Sequence, residues 1–153
     1  MKLKARVSLL ACLLLLFSLA SRAAAQECYS YEKDGVSLTG TISKKTFPGP
    51  PNYESIKNGD KPETYWILHL AKPICTTASA DNDAESNVTD LQLILPAKND
   101  ARFKKDYARF RKLVGRSMDL VVLGRLTHAI TGHHHTPVMM EVKAIAPHKL
   151  VQY

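Results

Sequence analysis

Met118-Asp119-Leu120-Val121-Val122-Leu123-Gly124-Arg125-Leu126-Thr127-His128-Ala129 is a long apolar run with a glycine in its middle. The run predicts a strand, and Gly124 marks a point where that strand can bend sharply. A matching strand lies upstream, where Val36, Leu38 and Ile42 alternate with polar residues and Gly40 interrupts the pattern. Two long strands, each bent at a glycine, are what a small β-barrel needs in order to close.

The remaining elements fit around this pair. In Tyr65 to Leu70, Trp66, Leu68 and Leu70 share one face of a strand, while Tyr65, Ile67 and His69 share the other. Leu91 to Leu95 is a third strand closed by Pro96, and Val138 to Ile145 is the last. A helix is expected before the long strand: Asn99 or Asp100 can cap it, Phe103, Tyr107, Phe110 and Val114 follow helical spacing, and Gly115 stops it. Lys104, Lys105, Arg109, Arg111 and Lys112 read as its solvated face, with cations near the C-terminal dipole. The fold class is mainly β, a small five-stranded OB-like barrel with one helix between strands three and four. The competing architecture is another small β-sandwich or barrel with a helix on one side.

Residues 1–25 read as an export signal. Lys2, Lys4 and Arg6 precede an apolar run from Val7 to Leu19, and Ala23-Ala24-Ala25 offers small residues for cleavage. The run is short of the ~20 residues of a spanning helix, so no stable membrane span is expected after its removal. The single expected domain is then 26–153. The whole chain is +7, but that segment carries four bases and no acid, which leaves 17 bases against 14 acids, or +3. So mild a charge, without an aromatic–basic stripe on strands two and three, argues against nucleic acid as a partner. Cys12 falls in the signal, and the two cysteines that remain, Cys28 and Cys75, are expected to form a disulfide in an oxidising compartment.

Two segments stand out between the strands. Phe47 to Glu63 is rich in proline and glycine and predicts a stiff, packed loop. Thr131-Gly132-His133-His134-His135-Thr136-Pro137 sets three histidines in succession. OB-folds hold ligands on the face of strands two and three, between the loop joining strands one and two and the loop joining strands four and five. These two segments are those loops, so the fold brings them to one rim. A third segment, Ala78 to Asn87, is polar and acidic and reads as a mobile loop.

The rim admits two chemistries. In extended backbone His133 and His135 face the same side and can chelate one zinc ion, with Glu54, Asp60 or Glu63 as further donors and a bound water as nucleophile. That is the reading as a metal-dependent hydrolase. Alternatively the histidines hold the loop or touch a ligand, with Gly132 supplying a positive φ and Pro137 stiffening the exit. Tyr53, Glu54, Asp60, Glu63, Tyr65 and His134 are then the ligand-binding candidates, while His69 either lines the binding face or is a half-buried polar residue of its strand. The chain has no nucleophile motif and no phosphate loop, which favours a non-enzymatic module.

Phe47-Pro48-Gly49-Pro50-Pro51-Asn52-Tyr53-Glu54-Ser55-Ile56, the downstream Gly59 to Glu63 with Tyr65-Trp66, and Thr131 to Thr136 resemble an uncharacterised family of exported bacterial domains of unknown function. The resemblance implies a periplasmic or secreted protein and brings no activity, substrate or catalytic residue with it. The expectation is a periplasmic binding module, of inhibitor or immunity type, for an envelope ligand or protein partner.

Overall fold

The computed structural model describes residues 26–96, 108, 111–115 and 119–148. Its strands are β1 (Glu27–Ser30), β2 (Val36–Pro48), β3 (Pro62–Thr77), β4 (Val88–Ile94), β5 (Leu120–His128) and β6 (Val138–Pro147), with a 3-10 turn at Ile56–Asn58. The antiparallel pairings are β2 with β3, β2 with β5, β5 with β6 and β3 with β4; β4 runs parallel to β6. These pairings form a ring without a free edge: a closed five-stranded mixed barrel, as the order of elements predicts.

Glycine allows the ring to close. Gly40 is the one residue of β2 paired with both neighbours, Leu70 of β3 and Leu120 of β5. A Cβ there would collide with the main-chain carbonyl of His69. Gly124 sits at a register shift between β5 and β6, where a Cβ would strike the Glu141 carbonyl. Both strands therefore bend where backbone approaches backbone too closely for a side chain.

Alternation fills the interior. Val36, Leu38 and Ile42 of β2, Leu68 of β3, Leu91 and Leu93 of β4, Leu120, Val122 and Leu126 of β5, and Val138, Met140 and Val142 of β6 are all at most 4 % exposed. Each such side chain contributes about 1.5–3 kcal/mol of burial. The outer face is less ordinary. Cross-strand pairing places Ser43, Ile67, Gln92 and Met139 in one row over β2, β3, β4 and β6. Ile67, Gln92 and Met139 are buried as deeply as the interior, because loops lie over this face.

Strands β2 and β3 run further than their sequence suggests. β2 continues through Lys44 to Pro48, and β3 begins at Pro62, so Phe47 pairs with Glu63. The short β1 was not expected. It runs parallel to the end of β3 with Cys28 opposite Cys75, and the expected disulfide joins them. Closing a loop of this length restricts the unfolded chain by about 4 kcal/mol on the chain-entropy model. Residues 78–87, expected as a mobile loop, are tied back at Glu85, which exchanges main-chain and side-chain hydrogen bonds with Thr76.

Residues 108 and 111–113 are helical, and Gly115 ends the helix in the left-handed region at φ 76°. The Gly115 amide donates to the Ile42 carbonyl, while Leu113 and Val114 pack on the core. The expected caps Asn99 and Asp100, the apolar positions Phe103, Tyr107 and Phe110, and the cations Lys104, Lys105 and Arg109 lie outside the described residues, as do residues 1–25, expected as an export signal. Among the described residues no helix is long and apolar enough to cross a membrane.

Candidate functional site

The proline-rich loop is built around one buried carboxylate. Asp60 is 4 % exposed. Its Oδ1 accepts the Asn52 amide at 2.9 Å, and its Oδ2 accepts those of Glu54 and Ser55, both at 2.8 Å. These hydrogen bonds, that from Ser55 foremost, hold its carboxyl below the usual carboxylate range. Main-chain bonds from Gly49 to Lys61, from Lys61 to Pro50 and from Tyr53 to Gly49 complete a stiff loop. This scaffold holds Tyr53 at φ 59°, in the left-handed region that side chains other than glycine rarely adopt.

The histidine loop is clamped from beneath by β4. Gln92 donates through its amide nitrogen to the His133 carbonyl and accepts the His135 amide, each at 2.9 Å. Its own main-chain amide donates to Thr136 Oγ1, whose hydroxyl donates in turn to the Val138 carbonyl at 2.7 Å. A buried glutamine thus stands in for a strand partner along a loop that has none. Gln92 was not expected at the site, since a polar residue in an alternating strand reads as facing solvent, and Thr136 lies in the expected loop without a role having been assigned to it.

The two loops meet at His133. Its Nδ1 lies 2.7 Å from Glu63 Oε2, and its Nε2 lies 3.1 Å from the Tyr53 hydroxyl. An ionised carboxylate only accepts, so Nδ1 carries the proton, and in the neutral ring Nε2 accepts the Tyr53 hydroxyl proton. Tyr65 donates its hydroxyl proton to the same Glu63 oxygen at 2.8 Å. The His133 hydrogen bond, followed by that of Tyr65, keeps the Glu63 carboxyl below its ordinary range. Burial, followed by the Glu63 hydrogen bond, pushes Tyr65 up to about 12, so it remains a donor at every physiological pH.

Gly132 does not adopt a positive φ, contrary to expectation. The Tyr53 ring packs flat against it, and a Cβ would stand 3.1 Å from the nearest ring carbon. The residue is small so that the two loops can touch.

The three histidines do different work. The loop turns at Thr131, whose carbonyl accepts the His134 amide, so the alternation of extended backbone does not apply. His134 faces its own loop: its Nδ1 accepts the Ile130 amide at 2.9 Å, and burial lowers its pKa and keeps it neutral. His135 stacks on Phe47, with centroids 4.0 Å apart and planes 2° apart, and Tyr65 lies beside both rings. Its Nε2 is shielded from solvent and has no partner among the described residues. Burial holds its pKa down too, so this nitrogen belongs to a neutral ring.

Of the expected residues, the fold brings Tyr53, Glu63, Tyr65, His133 and His135 together. Asp60 is taken up by its own loop, and Glu54 is exposed, contributing only its amide to that scaffold. The expected zinc set does not assemble: Asp60 faces amides, Glu63 bonds to His133, and His135 lies against Phe47. Among the described residues no group of three or more His, Cys, Asp or Glu is placed to hold a metal ion.

Beside this rim the outer face opens into a cleft of about 280 Å³. Phe47 and Ile67 give it apolar surface, Lys45, His69 and Asp90 give it polar groups, and His135 forms part of its wall. Residues 85–89 close the far side.

A domain of unknown function (DUF4431) is found at residues 90–146. That span carries Asp90, Gln92 and the whole histidine loop, while Tyr53, Glu63 and Tyr65 lie before it. No curated protein matches the chain.

Proposed function

We propose that the protein is a binding module of the bacterial cell envelope, exported by residues 1–25, which holds a small polar ligand in the cleft beside the two-loop rim. One observation carries this reading. The cleft lies on the face where OB-folds take their ligands, and the unpartnered Nε2 of His135 belongs to a residue of its wall. A buried imidazole nitrogen without a partner costs about 1–3 kcal/mol unless something satisfies it. A ligand in the cleft relieves that cost only by opening the contact that shields the nitrogen from solvent.

The lining narrows the class. Lys45 offers a cation, Asp90 a carboxylate, and Phe47 a ring on which a flat or sugar-like face can rest. A molecule bearing both donors and acceptors, such as an amino sugar or a peptide fragment of the envelope, suits this mixture. The rim itself serves as a frame, since its side chains are already bonded to one another.

The test is a ¹H–¹⁵N titration of residues 26–153 with a panel of muropeptides, amino sugars and dipeptides. The amides of Lys45, Ile67, His69 and Asp90 are expected to shift together and to saturate with at least one compound. Shifts scattered over the barrel, or none with any compound, would overturn the reading.

A further inference from the structure

The sequence shows no nucleophile motif, yet the barrel assembles one from three strands. Ser43 of β2, His69 of β3 and Asp90 of β4 lie on the same outer face, with His69 paired opposite Asp90. Ser43 Oγ is 2.7 Å from His69 Nε2, and His69 Nδ1 is 2.6 Å from Asp90 Oδ1. The carboxylate only accepts, so Nδ1 carries the proton, and in the neutral ring Nε2 accepts the Ser43 hydroxyl proton. Nucleophile, base and orienting carboxylate therefore stand in the order and at the distances that serine acyl transfer requires. The groups are accessible: the side chains of His69 and Asp90 are 43 % and 48 % exposed, and Ser43 is half-buried.

We infer that Ser43, His69 and Asp90 form an acyl-transfer site that cleaves carboxylic esters whose acyl group enters the adjoining cleft. Ser43 Oγ attacks the ester carbonyl carbon as His69 Nε2 takes its proton. The tetrahedral intermediate collapses, the bond to the leaving oxygen breaks, and His69 returns the proton to the departing alcohol. Water then attacks the acyl-serine, His69 takes a proton from it, and Ser43 leaves with that proton, releasing the carboxylic acid. Asp90 stays ionised throughout and holds the ring in its tautomer. Lys45, two residues along the same face of β2 and on the cleft wall, holds its ammonium 5.0 Å from the centroid of the Phe47 ring and must swing away from it to meet the oxyanion. An ester fits better than an amide, because an alkoxide is the easier group to expel.

The inference takes from the proposed function only where the acyl group sits. A fluorophosphonate probe tests the relay without needing the cleft's ligand. Residues 26–153 are incubated with the probe and the modified peptide is found by mass spectrometry. Ser43 is expected to be labelled; His69→Ala should lower the rate about 100-fold or more, and Asp90→Asn should lower it at least tenfold with unchanged circular dichroism. Absence of label on Ser43, or equal labelling in folded Asp90→Asn protein, would overturn the relay. Ser43→Ala removes the nucleophile and its bond to His69 but no group that lines the cleft, so ligand-induced shifts at Lys45, Ile67 and Asp90 that persist in that variant keep the binding reading whatever the probe shows.

Discussion

The Tyr53 hydroxyl lies 3.1 Å from Nε2 of His133, eighty residues away in the chain. This pair joins the proline-rich loop to the histidine loop, and Glu63 fixes its proton order from the other side of the ring. Tyr53→Phe keeps the ring against Gly132 and removes only the hydroxyl. It should cost at most about 1 kcal/mol by urea denaturation, because the bond is exposed. The His133 side-chain resonances should broaden or shift as its Nε2 loses its donor.

Gly132→Ala tests the contact beneath that bond. The new methyl must push the Tyr53 ring by a few tenths of an ångström, and Tyr53 is already held at a positive φ. A loss of about 1 kcal/mol is expected, and it should largely vanish when Gly132→Ala is made in a Tyr53→Ala background. A coupling of that size in the double-mutant cycle assigns the glycine to the ring. Equal losses in both backgrounds would assign it to the backbone.

Gln92 bridges the two main-chain groups that flank His134. Replacing it by leucine fills the same volume and strands a carbonyl and an amide under the loop. A loss of about 2 kcal/mol or more is expected, with little change in the denaturant slope. Gln92→Glu keeps the acceptor for His135 but sets a buried carboxylate against the His133 carbonyl, so at pH 7 it should cost at least as much as leucine.

Asp60 and Glu63 give the acid limb of stability its shape. Both carboxyls are held below their ordinary values in the folded state. Stability from them is therefore present above about pH 4, the unfolded value, and is lost as pH falls toward the folded ones. Asp60→Asn should lower the urea midpoint at pH 7 and flatten the curve below pH 4. An unchanged acid limb would mean that the Asp60 carboxylate does not organise the loop.

The barrel was legible where side chains must face inward. The alternation of Trp66, Leu68 and Leu70 and the glycines at 40 and 124 follow from packing against a core, and the structure uses them as expected. The meeting of the two loops was legible from strand order. Roles within the rim were not. His134 is turned aside by a main-chain bond to Thr131 that no spacing rule shows. Phe47 to Glu63 looked too rich in breakers for a regular element, yet its two ends pair as strands, Phe47 with Glu63 and Pro48 with Pro62. Ser43, His69 and Asp90 are separated by whole strands, so only the register of the sheet brings them together.

His135→Phe separates binding from folding most directly. Phenylalanine keeps the stack on Phe47 and removes a buried nitrogen that has no partner. Burial holds the His135 pKa down, so the native histidine destabilises the fold as pH drops below about 6.5, where the unfolded ring takes up a proton and the folded one does not. The variant should be at least as stable at pH 7 and should lose less stability between pH 6.5 and 5. Calorimetric titration of wild type and His135→Phe with the compound that moves the Ile67, His69 and Asp90 amides then decides the matter. The predicted result is binding at least tenfold weaker in the more stable variant; equal affinity in the two proteins would contradict a ligand held at His135.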